Sequence, residues 1–100
     1  MIRWRIVVEF QPGHMGSGLV ALKKIVNHLE EKLQWPPLRI YRGFIGCQEN
    51  RCEVEADFPS LSEFEQAWKR WGKSPESKML AEKYHQLVNS ERIEILQVVE

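Results

Sequence analysis

The chain holds two cysteines, five prolines and six glycines in 100 residues, and its 14 Lys+Arg are cancelled by 14 Asp+Glu. Each shortage excludes something. Two cysteines are too few for a disulfide-stapled scaffold. A formal net charge of zero leaves no basic stripe to grip phosphates, so nucleic acid is not an expected partner. No run approaches the roughly 20 apolar residues that cross a bilayer. The first ten residues mix Arg3, Arg5 and Glu9 among apolar neighbours, unlike a signal peptide. Repeats and low-complexity tracts are missing too. The expectation is one domain over residues 1–100, cytoplasmic, with no membrane partner.

Aromatic rings, by contrast, are plentiful: four Trp, four Phe and two Tyr. Rings of that size fill cores or interfaces. A domain of this length has a modest interior, so the load points to self-association.

Along the chain, Trp4, Ile6, Val8 and Phe10 alternate with Arg3, Arg5, Val7 and Glu9, the period-two pattern of a strand. The stretch QPGHMGSGL, Gln11 to Leu19, stops it and reads as a loop rich in breakers. Leu19, Leu22, Ile25, Val26, Leu29 and Leu33 then recur at helical spacing, with Ser17 as the expected N-cap. Trp35-Pro36-Pro37 ends that helix, because a residue before proline avoids the helical region. Leu38 to Gly46 and Cys52 to Phe58 read as two strands joined by the polar turn Gln48 to Arg51, an antiparallel hairpin.

Ser60 with Glu63 forms a capping box ahead of Leu61, Phe64, Trp68 and Trp71 on one helical face. Gly72 to Ser74 interrupts, and Ser74-Pro75 restarts the helix with a serine cap and proline at its first position. Leu80, Tyr84 and Leu87 carry this second piece, and Arg92 to Val99 forms the last strand. The order is βαββαβ with a broken second helix. That is the α+β ferredoxin-like plan, a four-stranded antiparallel sheet with helices on one face.

One sheet face is then bare, carrying Arg5, Val7, Glu9, Glu53, Glu55, Asp57, Glu94, Leu96 and Val98. Its aliphatics suit a homodimer packed sheet to sheet, with carboxylates and arginines such as Arg5 and Arg92 pairing across the seam, since buried charges must pair.

The element order, Pro12-Gly13 directly after the first strand, and EADFPSLSEFEQAWKRWGKSPESKML resemble the dimeric α/β-barrel superfamily. That group takes in antibiotic-biosynthesis monooxygenase-like, stress-responsive barrel and NIPSNAP-like proteins. The resemblance lies in an acidic strand running into F-x-S-x-x-E-F-x-x-A-W, followed by a helix-opening proline. It implies a homodimer whose two sheets form one β-barrel, and a cavity between each sheet and its own helices. Two features depart from the catalytic branches. The histidine that often follows the proline in stress-responsive members is missing from Pro75-Glu76-Ser77-Lys78, and the oxygenases' Asn, Trp and His do not map onto this chain residue by residue.

Candidate chemistry is sparse. The glycines at 13, 16 and 18 match neither a P-loop nor a dinucleotide fingerprint. His14, on a loop at a strand end, is the candidate general base. His28 falls on the polar side of the first helix and is expected to be solvated. No histidine spacing supports a metal site, and no cofactor is expected. Cys47 and Cys52 flank the hairpin turn and are expected to be two small buried thiols. Trp68, Trp71, Tyr84 and His85 are the candidate ligand-binding residues, able to pack as core or to line a pocket. The leading functional expectation is therefore a small homodimeric protein that binds or oxidises an apolar or aromatic molecule between sheet and helices. The alternative is a non-catalytic structural or interaction module with an exposed apolar patch around Trp35 to Leu38.

Overall fold

The structure, a computed structural model, describes residues 1–99. Its elements run β1 (Ile2–Phe10), α1 (Met15–Glu31), β2 (Leu38–Arg42), β3 (Arg51–Phe58), α2 (Leu61–Lys73), α3 (Pro75–His85) and β4 (Val88–Gln97). The strands form one antiparallel sheet in the order β2-β3-β1-β4, the ferredoxin-like arrangement. Within the chain the sheet is open, with β2 and β4 as its edges.

Register sorts the side chains. Trp4 sits between Ala56 and Ile95, and Arg5 between Glu55 and Glu94, so alternate residues reach opposite faces. Trp4, Val8, Phe10, Cys52, Val54, Ala56 and Phe58 are buried under the helices, with Leu22, Ile25, Val26 and Leu29 from α1. The other face is bare, as the alternation predicts.

Glycine placement explains the opening stretch. Gly13 has φ +82° and makes the turn out of β1, a conformation most residues avoid. α1 starts at Met15, earlier than expected, and its N-cap is His14, which makes no side-chain capping bond. Ser17 is therefore inside the helix. A Cβ added to Gly18 would lie 2.5 Å from the Phe10 ring, so this glycine allows the first turn of α1 to press onto β1.

Two further boundaries and one cysteine differ from expectation. β2 stops at Arg42, and Phe44 and Ile45 sit exposed in the hairpin loop: after Gly43 donates its N–H to the Arg51 carbonyl, the chain bends over residues 45–47, where Gly46 takes φ +75°. β4 starts at Val88 instead of Arg92, since it pairs with β1 from Phe10 onward. Cys47 is exposed and Cys52 buried, both free. Only the second fits the expectation, because Cys47 lies in the loop and Cys52 opposes Arg42.

The bare face is laced internally. Arg3 grips Asp57 through two bonds of 2.8 and 3.1 Å, while Arg5 reaches Glu55 at 3.4 Å and Arg92 reaches Glu94 at 3.4 Å. These charges pair within one sheet, side by side across or along strands, and need no partner copy to be matched. The Arg3 hydrogen bond holds the Asp57 carboxyl below its ordinary range. That pair adds stability above the pKa of an unfolded aspartate and loses it as pH falls through the lower folded-state value.

Two predictions follow from these contacts. Phe10 is fully buried and cannot yield, so Gly18→Ala is expected to lower unfolding stability by about 1–3 kcal/mol. Gly16→Ala, with nothing within 4 Å of its added Cβ, is expected to raise it by about 0.5–1 kcal/mol. Urea denaturation of both variants checks this, and equal effects would contradict it. Asp57→Asn is expected to flatten the fall in melting temperature between neutral and acid pH. The change is small, since the Asp57 side chain is 41% exposed, and an unaltered acid limb would contradict the pairing.

Candidate functional site

Two serines organise the helical layer over the sheet. The Ser60 hydroxyl accepts from the Glu63 N–H, and the Ser74 hydroxyl accepts from the Ser77 N–H, each satisfying a free donor of a first turn. Ser74 ends α2 and caps α3, so the layer breaks there. α3 packs beside α1, and β4 is left partly uncovered. Ile93 points to the helix side yet is 46% exposed.

Beneath this gap lies a cavity of about 240 Å³. All four tryptophans of the chain line it: Trp4 from β1, Trp35 from the segment after α1, and Trp68 and Trp71 from α2. Leu22, Ile25, Tyr84 and Ile93 complete most of the apolar wall. Trp35 packs edge-on against Trp4 at 5.0 Å between centroids and against Phe58 at 5.3 Å, the geometry ring quadrupoles favour. Its indole N–H donates to the Ala67 carbonyl at 3.1 Å, fixing α2 to the wall. Trp68 is 40% exposed at the opening.

The polar features of the wall are few. Neither the Trp4 indole N–H nor the Tyr84 hydroxyl finds a hydrogen-bond partner, although both are buried. Burial, and after it the nearby Glu91 carboxylate, push the Tyr84 phenol far up, so it stays protonated. Glu91 thus stands beside that hydroxyl and acts on it. It also faces His85, with 3.8 Å between His85 Nε2 and Glu91 Oε1.

Trp68, Trp71, Tyr84 and His85, the residues picked out from the sequence, therefore share one cavity wall. His14 is not among its lining residues: it is exposed beyond the end of β1, where its backbone joins Gln11 and Gly18. His28, expected in solvent, is instead buried. Its Nε2 lies 3.1 Å from both the Ser74 and Ser77 hydroxyls, because α3 folds over that side of α1. Burial of Trp35 also removes the exposed patch expected around Trp35 to Leu38. Among the described residues no cluster suited to a metal ion occurs, and no helix is long and apolar enough to cross a membrane.

Glu91, Trp4 and Trp35 are wall residues that the sequence reading did not single out. A signal for Glu91 exists in hindsight: Glu91, Ile93 and Ile95 alternate on the helix side of β4, which places one carboxylate on an apolar stripe. Starting the strand at Arg92 hid it.

No family model and no curated protein sequence matches this chain. Solved structures do. Protein Atu4242 from Agrobacterium tumefaciens is similar at 15% identity, TM-score 0.84, over 99% of this chain and 94% of that one. An uncharacterized NIPSNAP domain protein from Burkholderia xenovorans is similar at 11% identity, TM-score 0.83, over 99% and 95%. SnoaB from Streptomyces nogalater, a cofactor-independent oxygenase solved as a mutant, is similar at 9% identity, TM-score 0.77, over 99% and 93%. Identities this low make the likeness one of fold, and that ferredoxin-like fold is the one shared by NIPSNAP and antibiotic biosynthesis monooxygenase-like proteins.

A buried hydroxyl with no partner is costly, by about 1–3 kcal/mol. Tyr84→Phe removes the hydroxyl and keeps the ring, so its melting temperature is expected to equal or exceed that of the parent. A clear fall in a thermal scan would mean that the hydroxyl is bonded after all.

Proposed function

We propose that the chain binds a small, flat, largely apolar molecule in the cavity between sheet and helices, and that it works as a homodimer joined through its bare sheet faces. The observation that carries the binding reading is the meeting of all four tryptophans on one cavity. A packed core of this size would close such a space, since a cavity forfeits contacts along its whole lining. At about 240 Å³ the space exceeds the roughly 150 Å³ that admits benzene. It falls just short of the roughly 300 Å³ where drug-sized pockets begin. One or two fused rings match that volume.

Support for the dimer comes from the bare face, where Val7 and Leu96 stand among arginines and carboxylates already paired within the sheet. Two such faces can approach with these pairs already neutralised, leaving Glu9 and Arg39 as the charges a partner copy would have to meet. Oxidation of the bound molecule without a cofactor is a second reading, favoured by the likeness to SnoaB, which is described as a cofactor-independent oxygenase.

Titration with naphthalene, followed by tryptophan emission, tests the site. Saturable change is expected, and Leu22→Trp, which fills the cavity, is expected to abolish it; a flat titration contradicts the reading. Sedimentation at micromolar concentration is expected to return twice the 11.8 kDa chain mass, and a single-chain mass contradicts the dimer. Oxygen uptake with hydroxylated naphthalenes separates an oxygenase from a binder.

A further inference from the structure

We propose that the molecule held in this cavity is a small organic cation, an aromatic or alkyl ammonium whose charged nitrogen sits near Glu91 against indole faces. This inference rests on the cavity being a binding site, and it adds the charge of the ligand. Two independent features lead to it.

The first is an unmatched carboxylate. On the sheet, Asp57, Glu55, Glu53 and Glu94 each have an arginine within 3.4 Å. Glu91 has neither an arginine nor a lysine among the described residues, and its side chain is only 21% exposed. Its one basic neighbour, His85, stands 3.8 Å away, beyond hydrogen-bond distance, and is 60% exposed. The Glu91 backbone is exposed at the sheet edge while most of its side chain lies against the apolar wall, where a cation would meet a carboxylate that no arginine or lysine already holds. Of the other ionisable side chains in this wall, Tyr84 faces Glu91 with a hydroxyl that stays neutral, and His85 stands at the rim, so neither brings Glu91 a full positive charge from within the cavity.

The second is the wall itself. Trp4, Trp35, Trp68, Trp71 and Tyr84 surround the space, and ring faces attract cations through their quadrupoles, tryptophan most strongly. A quaternary or tertiary ammonium is poorly hydrated, so entering such a space costs it less than it would cost a lysine-like ammonium or a metal ion. Rings on several sides plus one carboxylate make the combination that recognises ammonium ligands. An anion would meet Glu91 as a like charge.

Phenyltrimethylammonium and tert-butylbenzene have the same shape and differ in charge, so together they isolate the claim. In tryptophan-emission titrations the cation is expected to bind at least about tenfold more tightly than the hydrocarbon. Glu91→Gln is expected to lose most of that preference while still binding tert-butylbenzene. Trp68→Leu, which removes a ring face and leaves an apolar side chain at a position already 40% exposed, is expected to weaken the cation more than the hydrocarbon, and it carries the test if the first variant folds poorly. Equal affinities, tighter binding of the hydrocarbon, or a preference for benzoate over the cation overturn the inference and leave the cavity reading standing. Failure of both isosteres to bind overturns both.

Discussion

Trp35 holds the two layers of this protein at a fixed separation. It follows the end of α1, passes its ring between the sheet and α2, and meets Trp4, Phe58, Phe64 and Trp68. Its N–H is spent on the Ala67 carbonyl, and Arg70 of α2 binds the Leu33 carbonyl at 2.7 Å just before it. The segment after α1 is thereby pinned to α2, and a ring 5% exposed props α2 away from β1. Beyond that prop, toward β4, lies the cavity, ringed by Trp68, Trp71 and Tyr84 without being filled by them.

The two sheet faces handle charge in opposite ways. On the bare face, arginine and carboxylate neighbours neutralise one another across and along strands, an arrangement with fixed geometry and little residual field. On the helix face a single carboxylate, Glu91, lacks such a neighbour. Strand geometry places it there: Ser90 pairs with Glu9, Arg92 with Val7, and the residue between them turns inward. On the bare face Glu9 is held by the Asn89 amide instead of an arginine, but only Glu91 stands as a carboxylate beside the apolar cavity.

The alternation in β1 and β3, the capping serines and the break before Pro75 were legible because each rests on neighbours in sequence. Their physics is local. Errors arose where a distant segment decided the outcome. Gly16 and Gly18 read as loop residues, but contact with Phe10 draws Gly18 into a helix. His28 lies on the polar side of α1 by periodicity, yet α3 covers it and supplies Ser74 and Ser77 as partners. Phe44 and Ile45 have strand-forming side chains, but the backbone bends over residues 45–47 at Gly46 before they can pair. Of the site, the helix-borne part (Trp68, Trp71, Tyr84, His85) was visible as an aromatic stripe. Trp4, Trp35 and Glu91 come from three other segments, and only the assembled fold brings them beside it.

The central claim is that the space walled by the four tryptophans is open in the folded protein. Crystals pressurised with xenon test it most directly, since xenon enters dry apolar cavities of this size and leaves packed cores alone. A xenon atom bounded by Trp4, Leu22, Trp71 and Ile93 is the predicted result. Indole rings closed onto one another, with no xenon between sheet and helices, would contradict it.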